Sequence, residues 1–182
     1  MISSIRIGLL VLGLSGLGIA VPAGAEVTYL GDTGFIVENR VDVQATPEQV
    51  WKALVNDVGR WWPSDHTWYG NNANLSIDAR ANGCFCEIEG DKQAMHMLVT
   101  FVEPPRMLRM TGGLGPLQGM GMYGALDWLI ESSGQGSRIT LTYRVNGINP
   151  DGHAQFAPVV DQVQGLQLGG LATFLGSGRA SD

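Results

Sequence analysis

The sequence is short of charge, and of positive charge in particular. Asp, Glu, Lys and Arg make up 15% of its 182 residues, and 17 acidic against 11 basic residues leave a formal net charge of -6. Domains that bind nucleic acid usually carry clustered Lys and Arg, so no nucleic-acid partner is expected. The glycine-rich segment 112–116 lacks both the lysine and the strand–helix context of a phosphate loop, which excludes nucleotide binding there.

Long apolar runs are also missing, except near the N-terminus. Ile7–Ile19 is almost entirely apolar but shorter than the roughly 20 residues that a membrane-spanning helix needs. It follows an arginine and precedes Pro22 and small residues, a pattern typical of a secretory signal peptide. We therefore expect residues 1–25 to be removed by cleavage near Ala25, leaving residues 26–182 as a secreted or periplasmic domain without a membrane span.

Cysteine is scarce, since Cys84 and Cys86 are the only two in the chain. Secretion would place them in an oxidising compartment. In a regular strand, however, residues i and i+2 have Cα atoms about 6.5–7 Å apart, at or beyond the usual limit for a disulfide. A bond would need a local bulge or kink, so we expect free thiols.

The domain begins with the pattern of a strand followed by a capped helix. Residues 34–44 largely alternate between apolar and polar side chains, which indicates a half-buried strand. Thr46 can cap the following helix, and Gln49 can complete a capping box. Apolar residues then recur at helical spacing from Val50 until Gly59.

A run of short strands separated by turn residues comes next. The predicted strands are Leu75–Arg80, Cys84–Glu89, Met95–Glu103, Arg106–Thr111, Met122–Glu131 and Arg138–Asn146. Gly90-Asp91 and the glycine-rich segment 134–136 are hairpin signals between neighbouring strands. The run therefore predicts an antiparallel meander.

A long C-terminal helix is predicted after this meander. Its apolar side consists of Val159, Val160, Val163, Leu166, Leu171, Phe174 and Leu175. Gly165, Gly169 and Gly170 each lower the stability of a helix by about 1 kcal/mol relative to Ala. In return, they can let the helix backbone approach a sheet, or they can leave room between the helix and the sheet. The order of elements predicts one α+β domain, in which a curved antiparallel sheet wraps around the helix and leaves a cavity.

Three motifs occur in a recognisable order along the domain. Residues 41–51 run from a strand into the capped helix, residues 82–87 form a glycine-led strand, and residues 101–108 place two prolines between strands. This order resembles the START-like or helix-grip superfamily, whose SRPBCC domains include polyketide cyclase/dehydrase-like and lipid-transfer-like proteins. The resemblance implies a helix-grip fold and a protein that binds or converts apolar ligands, although some members are co-chaperone-like.

Cys84, Cys86 and His96 form the sharpest candidate constellation. If the hairpin is centred near Asp91, Cys86 lies opposite His96 and Cys84 shares their face. His66 could then complete a zinc site of two thiolates and two imidazoles. Buried free cysteines beside an ordinary histidine are the favoured alternative, so no cofactor is expected.

Two carboxylates alternate with these positions along the same predicted strand. Because successive side chains of a strand point to opposite faces, Glu87 and Glu89 should lie on the other face of the sheet. We expect that face to be solvated, since Glu is rarely buried. Either residue would become a candidate general base if it were buried.

Aromatic residues crowd the segment that follows the first helix. Trp61, Trp62, Trp68 and Tyr69 lie close to His66 in the sequence. These rings could form a lid over a cavity mouth, or they could pack together as a small satellite core. Six of the seven methionines lie between residues 95 and 122, where they could line an adaptable pocket or, as we favour, fill an ordinary core.

The leading prediction is a protein that binds a small apolar or amphipathic molecule between the sheet and the C-terminal helix. Binding would depend mainly on apolar burial, with His66 or Tyr143 orienting a polar end. The predicted wall residues are Met110, Met122, Trp128, Tyr143 and Leu171, and the predicted entrance residues are Trp62, His66 and Trp68.

Two other functions stay open. The resemblance implies a cyclase- or dehydratase-like enzyme, in which His66 or His96 would move protons. A protein-interaction module is the third possibility, with the segment Trp61–Tyr69 as an exposed aromatic patch.

Overall fold

Eight strands form one antiparallel sheet within residues 24–177, the part of the chain that the computed structural model describes. They are β1 (Gly24–Gly31), β2 (Gly34–Val43), β3 (Leu75–Ile77), β4 (Cys84–Glu89), β5 (Lys92–Glu103), β6 (Met107–Gly112), β7 (Tyr123–Ser133) and β8 (Gly136–Asn146). Their order across the sheet is β1-β2-β8-β7-β6-β5-β4-β3. The predicted meander is confirmed, and β1 is an additional strand that pairs with β2.

The alternation of apolar and polar side chains along β8 decides which face of the sheet is buried. Ile139, Leu141 and Tyr143 are buried, whereas Arg138 and Arg144 on the opposite face are exposed. The neighbouring strands β2 and β7 pair with β8 over almost its full length. One face of the sheet therefore carries the apolar core, as an antiparallel sheet with one solvated face requires.

Four α-helices accompany the sheet within the described residues. They are α1 (Pro47–Asn56), α2 (Val58–Trp61), α3 (Pro116–Gly119) and α4 (Ala157–Gly176). The predicted capping box of α1 is confirmed: Gln49 N donates to Thr46 Oγ1 at 3.4 Å, and Thr46 N donates to Gln49 Oε1 at 2.9 Å. A one-turn 3₁₀ helix at Ser64–His66 follows α2.

The C-terminal helix lies across the concave side of the sheet. Its main contacts with the sheet are to β1 and β2, and it also packs against α1 and α2. This arrangement is the predicted helix-grip α+β fold. No helix within residues 24–177 is long and apolar enough to cross a membrane.

The predicted signal peptide falls almost entirely outside the described residues. Of residues 1–25, the structure describes only Gly24 and Ala25, at the start of β1. Secretion, cleavage near Ala25 and the start of the domain therefore stay predictions.

The buried side of α4 is more polar than its sequence predicts. It comprises Ala157, Val160, Asp161, Gln164, Gln167, Leu168, Leu171 and Phe174. Val159 and Leu166, both expected on the apolar side, are each 53% exposed. The expected apolar face is therefore wrong at these positions, because close approaches to neighbouring elements fix the rotation of the helix.

Glycines mark those close approaches. A Cβ on Gly165 would lie 2.8 Å from Asn39 Oδ1 in β2, and one on Gly170 would lie 2.5 Å from the carbonyl oxygen of Trp61 in α2. A Cβ on Gly169 would meet no atom within 4 Å. Two of the three glycines thus let the helix backbone approach its neighbours, which is one of the two roles predicted for them.

Alanine substitutions at adjacent glycines should have opposite effects on stability. We expect Gly170→Ala to lower the free energy of unfolding by about 1–3 kcal/mol, because the new methyl group meets backbone that cannot rotate away. Gly169→Ala should raise it by up to about 1 kcal/mol, because alanine favours the helix and the site is open. Equilibrium urea unfolding of both variants measures the difference, and equal effects would contradict the close approach.

A buried polar contact links α4 to β2. Asn39 Nδ2 donates to Asp161 Oδ1 at 2.9 Å. Burial raises the pKa of Asp161, and the hydrogen bond from Asn39 opposes this shift. The pKa of Asp161 is therefore higher in the folded state than in the unfolded state. Its contribution to the free energy of unfolding is fully present below the unfolded-state pKa and is lost as the pH rises through the folded-state pKa.

Removing this buried charge should stabilise the protein near neutral pH. We expect Asp161→Asn to increase the free energy of unfolding at neutral pH, with the gain shrinking as the pH falls through the raised folded-state pKa and the carboxyl takes up a proton. Urea unfolding across this pH range measures the gain.

Asp42→Asn is the matched control, and it should change the free energy of unfolding in the opposite direction. Arg138 donates two hydrogen bonds of 2.9 Å to Asp42, and this interaction lowers the pKa of that carboxyl. Its contribution to stability is present above the unfolded-state pKa and is lost as the pH falls. Asp42→Asn should therefore destabilise the protein at neutral pH, and a gain in stability from both variants would contradict the assignment.

Candidate ligand-binding site

A cavity of about 320 Å³ lies between α4, the loop after α2, β5 and the segment around α3. Its apolar wall consists of Trp62, Trp68, Leu114, Pro116, Leu117, Phe156, Val159, Val160 and Val163. Its polar side chains are Asp65, His66, Thr67, His96, Gln164 and Gln167. A mostly apolar wall with a few polar groups is the usual composition of a small-molecule pocket.

The three predicted entrance residues, Trp62, His66 and Trp68, all line this cavity. Trp62 is buried, and its Nε1 donates to the carbonyl oxygen of His66 at 3.0 Å, which closes the loop around the 3₁₀ helix. Trp68 is 50% exposed. The loop therefore combines a packed aromatic core with one wall of the cavity.

Burial of its first two rings prevents the segment Trp61–Tyr69 from forming a continuous exposed aromatic patch. Trp61 and Trp62 are 5% and 3% exposed. Trp61 Nε1 donates to the carbonyl oxygen of Ala53 at 2.9 Å, and its ring packs against Trp128 with 5.8 Å between centroids. The interaction-module hypothesis therefore loses the surface on which it was based.

A buried carboxylate holds this loop over the sheet. Glu87 is 0% exposed. Its Oε1 accepts from Tyr69 N at 2.8 Å, its Oε2 accepts from Trp68 N at 2.9 Å, and Oε2 lies 3.0 Å from His96 Nε2. The expectation that Glu87 is solvated is therefore wrong, since the loop covers that face of the sheet.

A β-bulge explains why the predicted register fails here. Phe85 pairs with Met97, but Cys86 pairs with Met95, so His96 is an extra residue in β5. As a result, His96 and Met97 are both buried although they are neighbours. The predicted pairing of Cys86 with His96 is wrong, and Glu87 instead shares the inner face with His96.

The two cysteines form a disulfide rather than free thiols or zinc ligands. Cys84 and Cys86 are bonded, and their Cα atoms are 5.4 Å apart, which is closer than in a regular strand and within the usual range for a disulfide. The expectation of free thiols is therefore wrong. The alternative of a zinc site at Cys84, Cys86, His96 and His66 is also wrong, since the sulfurs are bonded to each other. Within residues 24–177, no group of three or more His, Cys, Asp or Glu side chains is placed to hold a metal ion.

The imidazole ring of His96 lies beside this carboxylate. Its ring packs against Phe85 with 5.1 Å between centroids. Burial lowers the pKa of His96, while the hydrogen bond and the charge of Glu87 act in the opposite direction. The ring is therefore neutral near neutral pH, and within residues 24–177 its Nδ1 has no hydrogen-bond partner.

Unpartnered polar atoms occur on four of the cavity residues. Among the described residues, His66 Nδ1, His96 Nδ1, Gln164 Oε1 and Gln167 Oε1 are buried without a hydrogen-bond partner. Leaving a buried polar atom unpaired costs about 1–3 kcal/mol. A molecule that pairs with these atoms would recover part of that free energy.

The five predicted wall residues lie elsewhere. Met110, Met122, Trp128, Tyr143 and Leu171 are all buried, but they belong to the packed core and do not line this cavity. The prediction that these five side chains point inwards was correct. They do not reach the cavity, because side chains fill the centre of the sheet and the cavity lies to one side. The two methionines therefore fit the favoured core-filling interpretation.

Tyr143 contributes to the site only indirectly. Its hydroxyl donates to the carbonyl oxygen of Gly112 at 2.9 Å and accepts from Leu114 N at 3.0 Å. Burial raises the pKa of Tyr143 to about 12. The hydroxyl expected to orient a ligand thus positions the backbone of the segment that supplies Leu114 and Leu117 to the cavity.

Sequence reasoning missed Gln164 and Gln167 as cavity residues. Both lie in α4 among positions with helical apolar spacing, and they are three residues apart on one face. Polar residues inside an apolar helical pattern are the signal that could have identified them. The burial of Glu87 had no such signal, because it depends on a loop that is distant in sequence.

Solved structures with low sequence identity share this fold. A putative uncharacterized protein from Rhizobium leguminosarum has a TM-score of 0.61 and 15% identity, over 85% of this chain and 98% of that one. A conserved protein of unknown function from Enterococcus faecalis has a TM-score of 0.58 and 13% identity, over 84% and 76%. The Aha1 dimer from Colwellia psychrerythraea has a TM-score of 0.55 and 15% identity, over 77% and 95%.

These similarities support the fold and leave the function open. A comparison with curated proteins finds no significant match. The family model described as polyketide cyclase/dehydrase and lipid transport matches residues 35–175, which is most of the chain. The resemblance to START-like domains is thereby confirmed, and this chain belongs to the polyketide cyclase/dehydrase and lipid transport family.

Proposed function

We propose that this protein binds a small amphipathic molecule in the cavity beside α4, and that it does so in the periplasm or outside the cell. The observation that carries the proposal is a cavity of about 320 Å³ with an apolar wall and four buried polar atoms that lack partners within residues 24–177. Ligand pockets range from about 300 to 1,000 Å³, so this cavity suits a compact molecule. The N-terminal sequence pattern supports the location.

The wall chemistry is consistent with binding driven by apolar burial. Trp62 and Trp68 supply aromatic surface from the loop, while Val160 and Val163 supply aliphatic surface from α4. Removing apolar surface from water contributes about 25 cal/mol per Å². The family's description, which includes lipid transport, fits the same kind of ligand.

Filling the cavity should abolish binding. The probe is Prodan, a neutral naphthalene dye whose emission shifts to the blue in apolar surroundings. We expect wild-type protein to bind it saturably, and Val163→Trp to weaken binding at least about tenfold, because the indole occupies the cavity. Fluorescence titration measures both affinities.

Leu166→Trp is the matched control, three residues further along the same helix. Leu166 is 53% exposed and does not line the cavity, so this variant should keep the wild-type affinity within about twofold. Circular dichroism confirms that both variants are folded. No saturable Prodan binding to the wild type, or equal loss in both variants, would contradict the proposal.

Catalysis by His96 is a second candidate, favoured by the buried contact between Glu87 and His96. A carboxylate that accepts from one imidazole nitrogen fixes the tautomer and leaves the other nitrogen free to take a proton. The lowered pKa of His96 keeps the ring in this basic form near neutral pH. His66 lines the same cavity, so the predicted choice between the two histidines now favours the one with a carboxylate partner.

A carbon acid of suitable size tests this candidate. In D₂O, a base removes a proton from C1 of 2-tetralone, and the enolate then takes up a deuteron, which NMR detects. We expect wild-type protein to accelerate this exchange, with the rate falling as the pH drops through the pKa of His96. His96→Gln should lower the protein-dependent rate by at least about 100-fold.

Glu89→Gln provides the control on the same hairpin. Glu89 is exposed and pairs with Lys92 at 3.1 Å, outside the cavity, so the variant should retain the wild-type exchange rate. Prodan titration of His96→Gln separates loss of catalysis from loss of binding. Exchange that persists in His96→Gln would remove His96 from a catalytic role.

A further inference from the structure

We propose that the ligand of this cavity is an uncharged apolar molecule whose polar end is a hydroxyl group, and that the hydroxyl donates its hydrogen to His96 Nδ1. This inference rests on the proposed binding function and names the class of ligand that the site selects.

His96 lines the cavity, and its ring carries a potential hydrogen-bond acceptor. Both oxygens of Glu87 already accept from backbone N–H groups of the loop, and Oε2 lies 3.0 Å from His96 Nε2. A carboxylate that only accepts requires the proton of this contact to be on Nε2. In the neutral ring, Nδ1 then carries a lone pair, and it has no partner within residues 24–177.

The helix α4 contributes two glutamines to the lining of the same cavity. Gln164 and Gln167 are 2% and 3% exposed, and the Oε1 of each lacks a partner within the described residues. Every glutamine amide also carries an NH₂ group. A hydroxyl can donate one hydrogen bond and accept another, so it matches a site formed by an imidazole acceptor and amides.

Charge argues against an anionic ligand. No Lys or Arg is found among the cavity-lining residues of the described chain, whereas Asp65 lines the cavity and Glu87 lies behind His96. A carboxylate moved from water into such a site would lose hydration without gaining a cationic partner. Alcohols and phenols are therefore favoured over fatty acids bound through their carboxylate.

Matched naphthalene derivatives test the ligand class on the unmodified protein. Each compound competes with Prodan: 2-naphthol has the hydroxyl donor, 2-methoxynaphthalene keeps the ring and the oxygen but lacks the donor, and 2-naphthoate is anionic. We expect 2-naphthol to displace Prodan at about tenfold lower concentration than the ether, because one buried hydrogen bond separates them. The anion should be the weakest competitor.

The outcomes separate this inference from the proposed function. If Prodan does not bind at all, the proposed function fails and the ligand class fails with it. If Prodan binds and the ether competes as well as 2-naphthol, the cavity binds apolar molecules but the hydroxyl assignment is wrong. If 2-naphthoate competes more strongly than 2-naphthol, the argument against an anionic ligand is wrong.

Variants at His96 identify the acceptor. His96→Phe removes the acceptor and should reduce the preference for 2-naphthol over the ether to less than about twofold. His96→Gln retains a side-chain oxygen and should restore part of the preference. A full preference in a folded His96→Phe variant would show that another group accepts the hydroxyl, and would contradict the assignment.

Discussion

The candidate site depends on one buried carboxylate. Glu87 sits on the inner face of β4, where it accepts hydrogen bonds from two backbone N–H groups of the loop after α2 and contacts His96 in β5. A buried carboxylate is stable only when its oxygens are paired, so the loop and the strands constrain each other. The loop supplies Trp62 and Trp68 to the cavity, and its position therefore defines the mouth of the cavity.

The location of the cavity follows from how α4 meets the sheet. Gly165 and Gly170 let the helix approach β2 and α2 closely, and its main sheet contacts are on the β1–β2 side. Large side chains such as Trp128 and Tyr143 fill the centre of the sheet. Space remains towards β5, where Val163, Gln164 and Gln167 of α4 line the cavity together with the loop. The centre of the sheet thus shapes the site from behind, whereas core residues at its edge, such as Trp62, Leu117 and Val160, line the cavity itself.

Binding and catalysis would use the same arrangement of the apolar wall and the His96 imidazole. An apolar wall with an imidazole acceptor can hold a ligand through a hydrogen bond, and the same neutral imidazole can remove a proton from a suitably acidic ligand. Both uses depend on the tautomer in which Nε2 of His96 donates to Glu87. Membership of a family described by both catalysis and lipid transport is compatible with either use, so the chemistry of the bound molecule decides between them.

The sequence alone determined the fold, because the fold depends on local periodicity. Alternation specified the strands, the capping box at Thr46 started α1, and the C-terminal apolar spacing predicted α4. Tertiary structure decided the site. The bulge that turns His96 inward, the pairing of Cys84 with Cys86 and the burial of Glu87 all depend on contacts between segments or on a local break in regular geometry. A pattern with a period of two residues cannot encode a one-residue insertion, nor can it show which loop will cover a carboxylate.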